Sequence, residues 1–462
     1  MSSGAAKTAA ARLSQETLVT DDLLQNGQGV ARDGGLVVFV TGALPGERVR
    51  VAVDAMHPSY ASAHAVEVID ASPDRVASVC PVFPRCGGCQ TLHLRYGAQL
   101  EWKRRMVVDA LERIGKLQGA SVAPTVASEF LDHTRYRNKV SLVAEQRRGN
   151  AAIGFYEARS HRIVPIERCP VLLPRLDEAV RALHGALARN SSLADGVRHV
   201  VIRTGVADET LVLAFATQRR RPELEAAVGL LREAIPKLTG IVASWDPKNE
   251  NAVLGRRFAT LWGSPQTKER VLDATFRFGV ASFFQINTGI LERIATRVLE
   301  RIAGANRIVD LYSGVGTFAV LAAMRGVVAT GVESQAEAVD EAAVNAARNG
   351  VTQAAFERAT ALEAVQGARG QTLLADAGAV ILDPPRRGCE PELLSALATS
   401  GVPKILYLSC NPATLARDAR LLVDGGFVLR SVEPYDMFPF TGHVEVLVEF
   451  DRGEPAAIPA NR

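Results

Sequence analysis

Apolar and polar residues alternate along this chain in different rhythms, and each change of rhythm marks a change of architecture. From Thr17 to about Ser78, short β-branched runs (GLVVFVTG, ERVRVAVDA, AHAVEVIDA) are separated by Gly, Pro and Asp. Short strands at this spacing predict a small β-barrel over 15–78. From about Arg175 to Pro265, helical stretches such as RPELEAAVGLLREAI alternate with VRHVVIRT, TLVLAFAT and GIVASW. That pattern predicts an α+β middle domain, taken with its N-terminal extension as 79–268. From about Glu269 the alternation is strict. LERIATRVLERIA reads as helix, RIVDLY as strand, and a glycine loop follows. Helix TFAVLAAMRG, strand VVATGVE and helix QAEAVDEAAVNAARNG come next. Strand AVILDPP, helix ELLSALATS, strand KILYLSC and helix PATLARDARLLVDGG complete the series. This predicts an α/β, doubly wound parallel sheet over 269–462. FVLRSVEPYD and HVEVLVEF have no helix between them and are expected to form an antiparallel hairpin at the sheet edge. Residues 1–14 are small and polar and are expected to be a frayed tail.

Composition narrows the class without identifying it. A length of 462 residues gives a soft prior of about three domains. At 47% hydrophobic and 22% charged the chain is an ordinary globular one, which excludes a disordered, collagen-like or small disulfide-stapled chain. The formal charge of +3 neither selects nor excludes nucleic acid, so any basic surface must be local. One such stretch exists. Between Arg85 and Arg168 stand fifteen Lys and Arg against eight Asp and Glu, with aromatic residues interleaved in RYRNK and GFYEARSHR. Basic groups contact phosphates and aromatic faces stack on unpaired bases, although a solvated charged face is the plain alternative. No uninterrupted apolar run of 18 residues predicts a membrane span. The N-terminus MSSGAAKTAAARLSQE lacks the apolar core of a signal peptide. A reducing cytoplasm is the expectation, and there grouped cysteines point to metal or catalysis.

Five motifs carry candidate chemistry. DLYSGVGTF sets Gly314 and Gly316 between a strand and a helix, where glycine lets a ligand approach the backbone; Glu333 ends the following strand, where an acid can accept from ribose hydroxyls. The pattern is GxG, short of the full dinucleotide fingerprint, and a tight turn with a helix-capping acid is the alternative. In LDPPRRG the two prolines end a strand and leave Asp383 at its carboxyl end. In LSCNPATLARD, Cys410 ends a strand just ahead of a helix that opens on Pro412, a setting expected to lower the thiol's pKa. In TGHVEVLVEF, His443 and Glu445 alternate with apolar residues, and a carboxylate facing a crevice there is a candidate general base. Finally, CPVFPRCGGC spaces Cys80, Cys86 and Cys89 as C-x5-C-x2-C, with Cys169 far downstream in ERCPV. Four thiolates suit zinc or an iron–sulfur cluster, and softness alone does not separate the two.

Taken together and in this order, the motifs resemble the RNA (uracil-5-)-methyltransferase family, in particular its bacterial 23S ribosomal RNA members, over about residues 17–450. The resemblance implies a class I methyltransferase (Rossmann-like) domain at the C-terminus. NGQGVARDGGLVVFVTGALPGERV is similar to the family's TRAM domain, an OB-like barrel. It implies a [4Fe–4S] cluster on Cys80, Cys86, Cys89 and Cys169. It implies S-adenosylmethionine contacts at Gln285 of FFQIN, Tyr312, Gly314, Gly316 and Thr317, Glu333 and Asp383, with a further one near Thr360, where the family more usually has an acid or amide. Cys410 corresponds to the nucleophile and Glu445 to the proton acceptor; Phe440 stands where the family more often has histidine or glutamine. The activity so implied is methylation of uridine C5 in 23S rRNA by a cytoplasmic monomer with RNA as partner, no membrane and no obligate protein partner. A tRNA uridine methyltransferase is the alternative of the same chemistry. A non-catalytic iron–sulfur RNA-binding protein is the alternative of another class.

Overall fold

The computed structural model describes residues 13, 17–128, 133–147, 150–158, 160–205 and 210–453. The expected N-terminal tail (Leu13 apart), the first residues of the barrel stretch, and Glu129, Asp132, Arg148 and Arg159 of the basic stretch lie outside the described residues. The chain divides into two compact units. One comprises Met1–Met106, Tyr156–Arg162 and Phe438–His443; the other comprises Val107–Phe155, Ile163–Met437 and Val444–Arg462.

In the first unit the period-2 runs become the strands of a closed barrel, β1 (Thr17–Leu23), β2 (Gln28–Asp33), β3 (Leu36–Thr41), β4 (Arg48–Met56) and β5 (Tyr60–Asp70), in the order β1-β2-β3-β5-β4. Closure of β1 on β4 removes the free edges that an open sheet would expose. Leu18, Ala31, Val38, Val40, Val49, Val51, Ala61 and Ala63 fill the interior, the inward half of each alternating run. Glu47 is fully buried beside β4. It accepts from the backbone N–H groups of Leu44 and Ser72 and from Arg75. Burial would raise its carboxyl, but the Arg75 contact and these N–H groups outweigh it and hold it below the usual carboxylate range. Helix α1 (Tyr96–Arg113) starts in this unit, and the Trp102 indole N–H donates to the Leu23 carbonyl at 3.0 Å.

The second unit holds two seven-stranded sheets. The first contains β6 (Lys139–Arg147), β7 (Asn150–Tyr156), β8 (Ile163–Pro165), β9 (Val197–Thr204), β10 (Leu211–Thr217), β11 (Gly240–Trp245) and β12 (Arg257–Gly263), ordered β12-β11-β10-β9-β6-β7-β8. Helix α2 (Pro174–Arg189) lays Leu176, Val180, Leu183 and Leu187 on it, the helical spacing of one apolar stripe. RPELEAAVGLLREAI, expected as one helix, is two short ones, Glu223–Ala226 and Val228–Ala234. The break falls next to Val228 and Gly229, both weak helix formers, while Leu224, Ala227, Leu231 and Ile235 still share one buried face. A hairpin of β13 (Gln266–Val271) and β14 (Ala274–Gly279) leads into helix α3 (Thr288–Arg301).

The second sheet is the doubly wound one. Its strands are β15 (Arg307–Leu311), β16 (Val328–Glu333), β17 (Ala354–Arg358), β18 (Ala379–Leu382), β19 (Lys404–Ser409), β20 (Phe427–Tyr435) and β21 (Glu445–Arg452), in the order β17-β16-β15-β18-β19-β21-β20. The first five in that order run parallel; β21 is antiparallel to β19, with β20 outermost as the expected edge hairpin. β18 is buried at every residue, as a strand covered on both faces must be. The chain leaves β15 for β16 on one side, and later returns through β18 on the other. That reversal opens a crevice at the carboxyl ends of β15 and β18. Among the described residues, no helix is long and apolar enough to cross a membrane.

Candidate functional site

Five neighbouring strands of the doubly wound sheet each bring one functional group to the same edge. Glu333 is the last residue of β16, and Asp310 is next to last in β15. Asp383 follows β18 directly, and Cys410 follows β19. Glu445 opens β21, which runs the other way. The register pairs Ser409 with Val446, so one step further along the ladder Cys410 meets Glu445. An antiparallel partner is what allows the start of one strand and the end of another to share an edge.

The glycine loop is shaped by the residues around it. Tyr312, Gly314 and Gly316 all take positive φ, 68°, 53° and 87°. A Cβ on Gly316 would lie 2.9 Å from the Phe356 ring and 3.1 Å from Ala342, so only glycine fits there. At Gly314 a Cβ would meet nothing within 4 Å, so the loop leaves open space on that side. Buried Asn345 donates to the Val315 carbonyl at 3.1 Å. The Gly314 N–H donates to Glu333 at 3.2 Å, and the other oxygen of Glu333 accepts from the Gln335 N–H at 2.8 Å. Glu333 therefore caps its own turn as well as facing the loop. Helix α4 (Thr317–Ala323) follows at Thr317, and its Ala319 N–H donates to Asp310 at 3.2 Å. The second Asp310 oxygen and the Ser313 hydroxyl are buried with no hydrogen-bond partner.

These carboxyls share one another's fields. Burial, then Asp383 and Glu333, push Asp310 up to about 8, against the Ala319 N–H. Burial pushes Asp383 up to about 7. Burial and Asp383 hold Glu445, only 2% exposed, well above the usual carboxylate range, against the Arg386 guanidinium. Burial, then Glu445 and Asp383, push the Cys410 thiol up to about 11, with Arg386 pulling the other way. The sequence led to the opposite expectation, a thiol lowered by the helix behind it. The helix does begin at Pro412, and Asn411 caps it by accepting from the Ala413 N–H, but burial of the thiol disfavours its charged form most, with Glu445 and Asp383 adding to it. Cys410 keeps part of its surface exposed, so a substrate can reach it.

Other predicted residues fall in different settings. The Tyr312 hydroxyl donates to Glu390 at 3.2 Å. Gln285 is buried just ahead of α3. The Thr360 hydroxyl accepts from the Glu363 N–H in a capping box at the start of the short helix Ala361–Val365. Tyr136 of RYRNK is 3% exposed, so its ring packs in the interior and is not a surface for stacking bases. Cys80, Cys86 and Cys89 belong to the first unit and Cys169 to the second. None of the six cysteines forms a disulfide. The Cys86 sulfur accepts from the Gly88 N–H, and the Cys169 N–H donates to Asp177. Among the described residues, no three His, Cys, Asp or Glu side chains gather closely enough to hold a metal ion.

The sequence reading assigned no role to three groups near the site. Arg386, inside LDPPRRG, is the cation that acts on both Cys410 and Glu445. Asn138 donates to the Gln285 carbonyl at 3.1 Å, and fully buried Arg203 donates to the carbonyls of Ser282 and Phe284 at 2.7 and 3.3 Å. An arginine directly after the apolar triplet VVI in VRHVVIRT was the signal that could have found the last. Phe283, between those carbonyls, is 71% exposed and offers a bare ring next to Gln285.

Comparison with known proteins agrees with this geometry. Residues 96–452 match the family described as tRNA (uracil-5-)-methyltransferase, and residues 14–66 match the TRAM domain. An uncharacterised RNA methyltransferase of Halalkalibacterium halodurans is 35% identical, covering 92% of this chain and 94% of its own length. Another from Clostridium acetobutylicum is 33% identical, covering 94% and 96%. The crystal structure of Pyrococcus abyssi tRNA (uracil-54, C5)-methyltransferase in complex with S-adenosyl-L-homocysteine superposes with a TM-score of 0.75 at 29% identity, covering 95% of this chain and 100% of that one. The chain thus belongs to the tRNA (uracil-5-)-methyltransferase family, and is a transferase with a class I methyltransferase domain and an N-terminal TRAM barrel.

Proposed function

We propose that this protein transfers the methyl group of S-adenosylmethionine to C5 of a uridine in RNA, with Cys410 as nucleophile and Glu445 as base. The observation that carries the proposal is the meeting of Cys410 and Glu445 at the sheet edge, beside a glycine loop whose buried polar atoms lack partners. That loop suits the methyl donor. Open space at Gly314, an acid at the end of β16 and an unpartnered Asp310 oxygen fit a nucleoside that also carries an ammonium and a sulfonium. Gln285, Tyr312, Gly316, Thr317, Glu333 and Asp383 would hold it, with Thr360 at the rim.

The residue types follow from the chemistry. Uracil C5 is too weak a nucleophile to take a methyl group from a sulfonium directly. Addition of the Cys410 thiolate to C6 gives an enolate with electron density on C5. C5 then attacks the methyl group, the C–S bond breaks and S-adenosylhomocysteine leaves, in a step governed by alignment. C5 now carries both a methyl group and a proton. Glu445 removes that proton, the C5–C6 double bond re-forms, and the sulfur leaves C6. Proton removal needs Glu445 as the carboxylate, and the Arg386 charge favours that form. The uridine must leave its stack to meet both sulfurs, so flanking RNA has to be gripped. The barrel, the basic stretch and the exposed Phe283 ring support that role. The proposed division of labour is 15–78 and 79–268 for RNA, 269–462 for catalysis.

The target is proposed to be 23S rRNA, on the strength of the TRAM barrel and the cysteine motif. A tRNA target is the second reading, favoured by the likeness to the Pyrococcus tRNA enzyme over nearly the whole chain. An iron–sulfur cluster on Cys80, Cys86, Cys89 and Cys169 is a separate proposal that rests on the C-x5-C-x2-C spacing, and no step of the reaction runs through it.

Four outcomes test these readings. Cys410→Ala is expected to lose methylation while still binding the donor, and Glu445→Gln to trap a protein–RNA adduct that survives a denaturing gel; full methylation by Cys410→Ala removes the thiol from the mechanism. Affinity for S-adenosylmethionine is expected to tighten as pH rises from 6 to 8.5, because carboxyls raised to about 7 and 8 are protonated at the lower end and ionise through this window to meet a cation; calorimetry showing equal affinity at both ends would refute the charge argument. Mapping of 5-methyluridine in a deletion strain is expected to show one site lost from 23S rRNA, and loss from tRNA instead selects the second reading. Anaerobically purified protein is expected to be brown with about four iron and four sulfide per chain; stoichiometric zinc without visible absorption rejects the cluster.

A further inference from the structure

Helix α5 (Pro412–Asp424), which starts two residues after Cys410, turns one side toward the backbone that follows Asp383. Asn411, Thr414, Arg417 and Asp418 are spaced along that side as three-to-four-residue steps require. The Asn411 side-chain amide donates to the Arg386 carbonyl at 3.1 Å, and the Thr414 hydroxyl lies 3.2 Å from the same oxygen. Thr414 shares its proton with the Asn411 carbonyl, also at 3.2 Å. One turn on, Arg417 donates to the carbonyls of Arg387 and Cys389 at 3.0 and 3.1 Å. Asp418, fully buried, accepts from the Cys389 N–H at 2.8 Å and from the Tyr407 hydroxyl at 2.6 Å. The approach is close enough that a Cβ on Gly388, at φ 77°, would stand 2.4 Å from an Asp418 oxygen.

Asp383 and Arg386 are unequally secured. Asp383 follows Leu382, which is paired in the ladder with Leu311 and Tyr407. Arg386 lies beyond two prolines, and the helix holds its carbonyl through Asn411 and Thr414. Three charged groups act on Cys410: Glu445 from β21, Asp383 from the end of β18, and Arg386 from this loop. Arg386 alone among them is a cation, and it stands furthest from the strand that carries it.

We propose that Asn411 and Thr414 are positioning residues, which pin the Arg386 carbonyl to the helix beginning at Cys410 and so keep the Arg386 guanidinium facing the sulfur. This rests on the reading of Cys410 as nucleophile and adds a specific device to it: thiolate formation is set by how firmly a neighbouring loop is tied down. Asn411 is suited to the task because its oxygen caps the helix while its amide remains for the loop.

The test is alkylation of Cys410 by iodoacetamide in the full chain, followed by mass spectrometry of the Cys410 peptide between pH 8 and 10, where the rate follows the thiolate fraction. Thr414→Val removes the hydroxyl at nearly constant volume and leaves the helix cap intact. It is expected to slow Cys410 labelling about threefold at fixed pH, the equivalent of about half a pKa unit. Thr414→Ser should restore the wild-type rate, Asn411→Ala should act in the same direction as Thr414→Val, and Arg386→Gln should slow labelling at least as much. Unchanged or faster labelling in Thr414→Val, with a wild-type melting profile and Cys389 still protected, overturns the proposal. So does a wild-type profile in Arg386→Gln. Alkylation requires neither RNA nor methyl donor, so this result is independent of whether Cys410→Ala abolishes methylation.

Discussion

Crowding of buried and half-buried acids along one edge of a twisted sheet is the constraint on which the rest of this protein turns. Glu333, Asp310, Asp383 and Glu445 come from four strands, with Cys410 between the last two. A carboxylate taken out of water and set beside another loses stability relative to its neutral form, and so Asp310, Asp383 and Glu445 are all raised. Such a row is costly unless something positive meets it. The protein supplies Arg386 at the Cys410 and Glu445 end. On the proposed reaction, the methyl donor brings positive charge to the other. Burial and the same row disfavour the Cys410 thiolate, so on the proposed reaction activation of the sulfur depends on what occupies the crevice.

Polar side chains that grip backbone carbonyls hold that edge in place. Asn345 does so for the glycine loop, Asn138 and Arg203 for the segment around Gln285, and the 411–418 face for the loop after Asp383. The reason is common to all three. Loops at a sheet edge carry carbonyls that no strand partner satisfies, and in a half-buried site each needs a donor. Supplying the donor from a side chain on a helix or sheet fixes the loop and satisfies its backbone in one contact.

The reaction chemistry is common to ribosomal and transfer RNA, and the superposed tRNA enzyme spans almost this whole chain. On the proposed reading, what favours the ribosomal target is the TRAM barrel together with the cysteine motif.

Local patterns made much of this legible from the chain. Period-2 runs with turn residues between them marked the barrel strands. Strict strand–helix alternation marked the doubly wound sheet, Pro412 marked a helix start and the glycine pair marked a turn, because periodicity and backbone restriction act within a few residues. What depended on distant contacts was hidden. No local signal showed that β21 would reverse against β19 and bring Glu445 opposite Cys410, or that Tyr136 would turn inward. The sign of the Cys410 shift was misread for the same reason: a helix end is visible in the sequence, whereas the burial that raises the thiol, and the two acids that add to it, come from other strands. Sequence determined which elements form and which residue types stand at their ends; tertiary structure decided which ends meet, since strand order and register are set by burial across the whole sheet and charge acts through space, not along the chain.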